Sequence, residues 1–270
     1  MTKPDNVNVT EEEHGEAPNE FRLVRRAALV GMAGGTVASV AGLVTPALAQ
    51  QDIRSAAEIG KTLKSIPNMC RVATATIEGP YYIDQRILRS DIREKQSGVP
   101  LELELQVVNA SGGCKPISGA LVSIWHCNAQ GEYSGYLFND PNKMPDPSAA
   151  DATGHVPQKD AERWLRGAQV ADANGKVTFK TIVPGWYTPR AAHIHVRAFF
   201  NDKTMVVTQL YFPQALLNTI QSAHKDYKVR GVSIYTNEND ILIRPEDVLE
   251  VSAQGDGSLR AALVLGAGYV

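Results

Sequence analysis

The feature that most constrains the fold is a strict alternation of apolar and polar residues over positions 101–107. Leucine or valine occupies every second position, with glutamate or glutamine between. Because successive side chains of a β-strand point to opposite faces, the pattern predicts a half-buried strand. A turn at 112–118 and a second strand at 120–127 follow, and the second is apolar on both faces. We therefore expect the second strand to lie at the centre of a sheet.

Further short extended segments follow, with turn signals about every ten positions. Asn174-Gly175, a strong hairpin signal, joins predicted strands at 167–171 and 177–182. The other predicted strands are 193–199, 205–211, 232–235, 241–243, 249–253 and 259–265. A short helix is predicted at 213–224, after the His-x-His strand, and a short N-terminal helix at 52–65. Many short strands with few helices predict an all-β fold, a β-sandwich.

A long segment without periodicity covers residues 128–165 and is rich in Gly and Pro. Structureless loops of this length in a compact domain are usually functional or disordered. The segment follows directly from the predicted central strand, so we expect a long active-site loop lying over a functional site. Residues 76–83 are also extended in character and are broken by Gly79-Pro80.

The first 49 residues are expected to be an export signal and not part of the fold. Arg25-Arg26 precede an uncharged stretch at 27–49, which ends in the A-x-A-type cleavage site Ala47-Leu48-Ala49. The arginine pair before a weakly hydrophobic stretch indicates the twin-arginine route. An uncleaved membrane anchor is the alternative, which the glycines and proline of the stretch disfavour. We expect a periplasmic or extracellular protein whose single domain spans residues 50–270, with no stable membrane insertion.

Three cysteines, Cys70, Cys114 and Cys127, would meet an oxidising compartment after export. One disulfide and one free thiol are expected from this number. Cys114 and Cys127 bracket one predicted strand, which places them at opposite ends and too far apart to bridge. We expect Cys70 to pair with one of the other two, and the sequence leaves open which.

A candidate metal site lies near His193 and His195, which point to the same face of a predicted strand. Imidazole suits zinc, copper, iron and nickel alike. Tyr187 lies a few residues upstream, where a loop could fold its phenol toward the same point, and Arg190 sits between them. A phenolate is a hard anionic donor that is unusual for zinc and better matched to Fe(III). The net charge of −2 gives no electrostatic support for nucleic-acid binding.

Five segments resemble, in the expected order, those of the intradiol ring-cleavage dioxygenases, which include catechol 1,2-dioxygenases and protocatechuate 3,4-dioxygenases. They are residues 77–82, 125–133, 184–187, 190–195 and 208–212, and the resemblance covers roughly 76–248. It implies one non-haem Fe(III) per chain. The implied iron ligands are Tyr133, Tyr187, His193 and His195.

The resemblance also implies a small aromatic diol and O2 as substrates. The ring would be cleaved between its two hydroxyl-bearing carbons, giving a cis,cis-muconate-type diacid. Arg190 would stabilise developing negative charge, Tyr187 would take a substrate proton as a departing phenolate, and Gln209 would orient nearby groups. The implied substrate-binding residues are Ile77, Pro80, Tyr81 and Arg190.

The sequence departs from the well-known cytosolic members of that family in three ways. Cys127 stands where those members often carry Ala, which fits an exported protein with a disulfide. Tyr187 and His193 are closer together in the chain, which predicts a more open pocket. The long N-terminal helical segment that dimerises catechol enzymes is mostly missing, so a homodimer is left open. A metal-free or zinc-binding β-sandwich module is the alternative function, and no Glu stands as an obvious general base for a zinc hydrolase. The physiological catechol stays undetermined.

Overall fold

The computed structural model describes residues 75–84, 87–137 and 139–268, all within one compact unit. In this part of the chain nine strands form two sheets. The strands are β1 (Pro100–Asn109), β2 (Lys115–Pro116), β3 (Leu121–Trp125), β4 (Arg166–Val170), β5 (Lys176–Ile182), β6 (His193–Phe200), β7 (Lys203–Tyr211), β8 (Glu250–Ala253) and β9 (Leu259–Ala267). One α-helix, α1, spans Gln214–Ala223, and short 3-10 turns occupy Pro147–Ala149 and Pro245–Asp247. The predicted all-β sandwich is confirmed.

The first sheet is built around β1, which pairs in parallel with β9 and antiparallel with β5. β2 pairs antiparallel with the last residues of β1, and β8 pairs antiparallel with β9 at the edge of the sheet. Every second side chain of β1 is buried, and these are Leu101, Leu103, Leu105 and Val107. The alternation in the sequence therefore predicted both the strand and its buried face.

The second sheet has the order β4-β3-β6-β7. β3 lies between two neighbours, which confirms the central position predicted for the strand at 120–127. Ile124 and Ile194 belong to the core between the sheets together with Leu103 and Phe179 of the first sheet. Because side chains alternate, His193 and His195 project from the opposite face of the second sheet.

The long segment between β3 and β4 covers this outer face. Its described residues contain no strand or α-helix, as predicted, yet Tyr133, Tyr136 and Leu165 are buried. Arg166, the first residue of β4, ties the segment to the sheet, because its Nη2 donates to the Ser134 carbonyl at 2.8 Å. The loop is therefore packed onto the sheet.

Two predicted strands, at 232–235 and 241–243, are wrong. Both stretches belong to an irregular segment after α1. Ile234 and Ile241 are 72% and 83% exposed, so these apolar side chains do not pack into the core as strand residues would. The intervening polar residues bond locally, with the Thr236 N–H donating to Asn239 Oδ1 at 2.7 Å. Such side-chain-to-backbone bonds compete with strand pairing.

The predicted hairpin at Asn174-Gly175 forms as a turn but not as a strand pair. Gly175 has a φ of 72°, and the Asp172 N–H donates to the Lys176 carbonyl at 3.0 Å. However, β4 pairs with β3 and β5 pairs with β1, so the turn carries the chain from one sheet to the other. Turn residues specify a local reversal, whereas burial of the apolar faces decides the partners.

Several expectations concern residues outside the described ranges. The export signal at 1–49, the helix at 52–65 and Cys70 all lie there. Cys114 is disulfide-bonded and Cys127 is a buried free thiol, so Cys127 is not the disulfide partner of Cys70. Among the described residues, no helix has the length and apolar character needed to cross a membrane.

The Tyr227 hydroxyl joins the ends of two strands and offers a test of the packing. It accepts from the Val99 N–H at 3.1 Å and donates to the Val183 carbonyl at 2.5 Å, all within the core. Tyr227→Phe leaves both backbone groups without this partner, so we expect a loss of about 1–3 kcal/mol in the free energy of unfolding. Urea denaturation measures it. Tyr235→Phe is the control, because that ring packs on Trp186 at the surface, and an equal loss in both variants would contradict the assignment.

Candidate active site

Two phenols and two imidazoles meet on the outer face of the second sheet. The Nε2 atoms of His193 and His195 are 3.0 Å apart. The ring of Tyr187 lies 5.4 Å from that of Tyr133 and 5.6 Å from that of His193, between centroids. Tyr133 lies 6.2 Å from His195 in the same measure. All four side chains are buried, with at most 4% exposed. The structure thus brings together the four residues predicted as metal ligands.

The two tyrosines converge because their loops pack backbone against backbone. The Gly185 N–H donates to the Asn128 carbonyl at 3.0 Å. A Cβ on Gly185 would lie 2.5 Å from the carbonyl oxygen of Ala129, and one on Gly131 would overlap the carbonyl of Trp186. Glycine is therefore required at both contacts, since any larger residue would separate the loops.

The two histidines are neutral in this environment. Burial lowers the pKa of His193 to about 3 and that of His195 well below its ordinary value. His193 Nδ1 lies 2.6 Å from the Ala191 carbonyl, an acceptor, so Nδ1 carries the proton. The Nε2 lone pair of His193 is then directed into the site. Neutral imidazoles with one ring nitrogen held by a carbonyl are typical of metal ligands.

Burial strongly disfavours the charged form of both phenols. Burial raises the pKa of Tyr133 and Tyr187 well above that of a free phenol. Tyr133 lies beside Tyr187, yet its hydroxyl has no hydrogen bond of good geometry within the described residues. A buried polar atom without a partner calls for an explanation such as an ion. The donor set fits a cation with nitrogen and oxygen ligands, and only a strongly positive group would favour phenolates here.

The predicted substrate-binding segment runs along this cluster. A Cβ on Gly79 would lie 3.2 Å from His195 Cε1, so the backbone passes directly against that imidazole at a φ of 75°. The Tyr81 ring lies 4.7 Å from that of Tyr133. Pro80 is half-buried and Ile77 is exposed. The segment therefore forms an apolar and aromatic wall beside the four converging side chains.

Arg190 is held in a polar network next to the cluster. One of its terminal nitrogens donates to Gln209 Oε1 and to the Tyr211 hydroxyl, each at 2.6 Å. Its Nε donates to Asp240 Oδ2 at 2.8 Å, and the Ala191 N–H donates to the same oxygen at 2.9 Å. Arg190 and Gln209, both predicted as catalytic residues, thus contact each other directly.

Comparison with known proteins agrees with this arrangement. A sequence model of a protein family described as Dioxygenase matches residues 77–253. A curated relative, the protocatechuate 3,4-dioxygenase beta chain of Burkholderia cepacia, is 30% identical over 236 residues, or 75% of this chain and 91% of the relative.

The chain belongs to the intradiol ring-cleavage dioxygenase family.

Other intradiol dioxygenases match over different lengths. Catechol 1,2-dioxygenase 1 of Acinetobacter lwoffii is 33% identical over 117 residues, which cover 42% of this chain and 31% of that enzyme. The chain thus aligns with about a third of the length of the catechol dioxygenases it matches. A solved intradiol ring-cleavage dioxygenase from Tetranychus urticae superposes with a TM-score of 0.65 at 32% identity, over 74% of this chain and 95% of that one.

Sequence reasoning missed three residues of this intradiol dioxygenase site. Trp125 stacks on His195 with ring centroids 4.9 Å apart and planes 7° from parallel. Tyr211 lies two positions after Gln209 on β7, so the period-2 rule places it on the same face and could have identified it. Asp240 follows a polar turn and carries no sequence signal that separates it from a surface residue.

The Asp240 carboxylate provides a test of the network. Burial alone would raise its pKa, but the hydrogen bonds and charge of Arg190 outweigh burial and hold the pKa below its ordinary value. In Asp240→Asn, the amide NH2 would face the donors Arg190 Nε and Ala191 N–H, and Arg190 would lose its countercharge. We expect the free energy of unfolding to fall by about 3–5 kcal/mol at neutral pH.

The pH dependence should differ as well. A lowered folded-state pKa stabilises the wild type above the unfolded value of about 3.9, and this stabilisation is lost as the pH falls through the folded value. Denaturation between neutral and acidic pH should therefore show the variant and wild type converging in acid. Asp172→Asn, in an exposed turn, is the control with a near-zero effect. A constant gap at every pH would show that the charge of Asp240 is not responsible.

Proposed function

We propose that this chain is a non-haem Fe(III) dioxygenase that cleaves catecholic rings between their two hydroxyl-bearing carbons. The observation that carries the proposal is the convergence of two buried phenols and two neutral imidazoles beside a fixed guanidinium. Tyr133, Tyr187, His193 and His195 would hold one ferric ion. When bound, that ion would supply the Lewis acidity and electron transfer needed for a diol to react with O2.

The donor set favours iron over the alternatives of a zinc-binding or metal-free module. Two phenolates offset much of a trivalent charge, whereas zinc sites use Cys, His and carboxylates. Within the described ranges no three His, Cys, Asp or Glu side chains cluster as a metal site. Oxygen donors from tyrosine also separate this set from the two-histidine, one-carboxylate sites of Fe(II) oxygenases.

Tyr187 is suited to take a proton from a substrate hydroxyl. Burial raises the pKa of its phenol far above the usual range. A Tyr187 phenolate not held by a cation would therefore be strongly basic in this pocket and would become neutral by accepting a proton. The proton would rest on Tyr187 Oη, beside the space that the diol enters.

Arg190 is suited to stabilise negative charge that develops on the ring. Its guanidinium is fixed by Asp240, Gln209 and Tyr211, so no reorganisation is needed when the charge forms. Gln209 is itself held on its other side, since its Nε2 donates to the Ile77 carbonyl at 3.1 Å. Gln209 would thus orient Arg190 relative to the substrate-binding segment.

The substrate is an aromatic diol whose flat ring would lie along Ile77, Pro80 and Tyr81. These residues offer apolar and aromatic surface, which suits a catechol of any simple substitution. The product would be a cis,cis-muconate-type diacid. Export through the first 49 residues and assembly into a homodimer stay predictions.

Iron content and colour test the ligand set. Purified protein should contain about one iron per chain and show a visible band from tyrosinate-to-ferric charge transfer. Tyr187→Phe and His195→Ala should each lose the band and most of the iron, since each removes one of four donors. Tyr136→Phe is the matched control: this buried tyrosine contacts Tyr81, but its hydroxyl donates to the Tyr82 carbonyl at 3.2 Å. Retention of iron and band in both ligand variants would overturn the assignment.

Oxygen uptake tests the reaction. Catechol, protocatechuate, hydroxyquinol and a bulkier lignin-derived catechol should be compared at equal concentration, with products followed by ultraviolet absorption and mass. We expect uptake of one O2 per diol and a ring-opened diacid for at least one of them. Arg190→Met should lower turnover by about 100-fold or more, by analogy with the loss of other electrostatic donors. Cleavage outside the two hydroxyl-bearing carbons would refute the intradiol reaction.

A further inference from the structure

Arg166, the first residue of β4, is a buried guanidinium beside Tyr133. It is 6% exposed, and its carbon Cζ lies 5.8 Å from the Tyr133 ring centroid and 5.7 Å from that of Tyr136. Its Nε donates to Ser134 Oγ at 2.9 Å, and its Nη1 donates to the Tyr81 carbonyl at 2.8 Å. These acceptors, and the Ser134 carbonyl, are all neutral.

The other arginines around the site differ in this respect. Arg190 is paired with Asp240 at 2.8 Å, and Arg197 forms an ion pair with Glu78. No carboxylate within the described ranges forms an ion pair with Arg166. Burial lowers the pKa of Arg166 to about 10, so the group is still a cation at neutral pH.

A buried charge is costly unless an opposite charge lies nearby. Among the residues that the structure describes, Arg166 has no ion-pair partner, the Tyr133 hydroxyl has no hydrogen bond of good geometry, and the guanidinium lies against the Tyr133 ring. If Tyr133 is deprotonated on binding a cation, its oxygen becomes the missing anion.

We propose that Arg166 is a positioning residue whose fixed positive charge stabilises the deprotonated Tyr133 oxygen in the loaded site. Its hydrogen bonds to the Tyr81 and Ser134 carbonyls also keep the segments of Tyr81 and Tyr133 together. The inference rests on the proposed function, because Tyr133 carries a negative charge only as a ligand of a cation.

Each phenol has an arginine nearby. Burial raises the pKa of both phenols, while the charges of Arg166 and Arg190 act in the opposite direction on Tyr133 and Tyr187 respectively.

The test compares Arg166→Lys, which keeps the charge, with Arg166→Met, which removes it, in iron-loaded protein. Without the charge, the Tyr133 phenolate becomes a stronger donor. We expect the charge-transfer band of Arg166→Met to move to longer wavelength and its ferric/ferrous potential to fall, with Arg166→Lys close to wild type. Arg163→Met is the matched control, because that arginine lies in the same loop and bonds to the Asp160 and Glu162 carbonyls.

Folding is checked by thermal denaturation of the metal-free proteins. If Arg166→Met does not fold, Arg166→Gln replaces it, since the amide can still donate to the Tyr81 or Ser134 carbonyl. An unshifted band and potential in the uncharged variant, or equal shifts in the Lys and uncharged variants, would overturn the proposal. Wild-type protein that takes up no iron and shows no band would instead overturn the proposed function itself.

Discussion

The register of β6 between β3 and β7 is the constraint on which the site depends. His195 lies opposite Trp125 on one side and Gln209 on the other, and His193 lies opposite Tyr211. These side chains share one face because strand side chains alternate. A slip of one residue would turn Ile194 to this face and both imidazoles into the core. Burial of Ile194 therefore fixes the position of the histidines.

The long loop between β3 and β4 supplies part of the candidate site that the sheet does not. The sheet presents the histidines on a face that would otherwise meet water, and the loop brings Tyr133 down onto them. Burial favours neutral imidazoles and protonated phenols in the site. Under the proposed function, the same packing that positions the four side chains would also make their charge state depend on a bound cation.

Sequence reasoning succeeded where the physical rule is local. Alternation identified β1 and its buried face, and the spacing of His193 and His195 placed them side by side. It failed where the outcome depends on distant parts of the chain. The valine and isoleucine residues at 232–243 are typical of strands, but these stretches pair with neither sheet. Asp240 matters only because folding brings it to Arg190, fifty positions away.

The two arginines of the site show how the same residue type can serve opposite purposes. Arg190 is paired with Asp240, which fixes the direction of its hydrogen bonds to Gln209 and Tyr211. Arg166 has only neutral acceptors, so its full charge acts on its surroundings through a medium of low dielectric. Under the proposal, a Tyr133 that becomes an anion on binding a cation would place an opposite charge beside Arg166. The stability of this region would then depend on occupancy of the site.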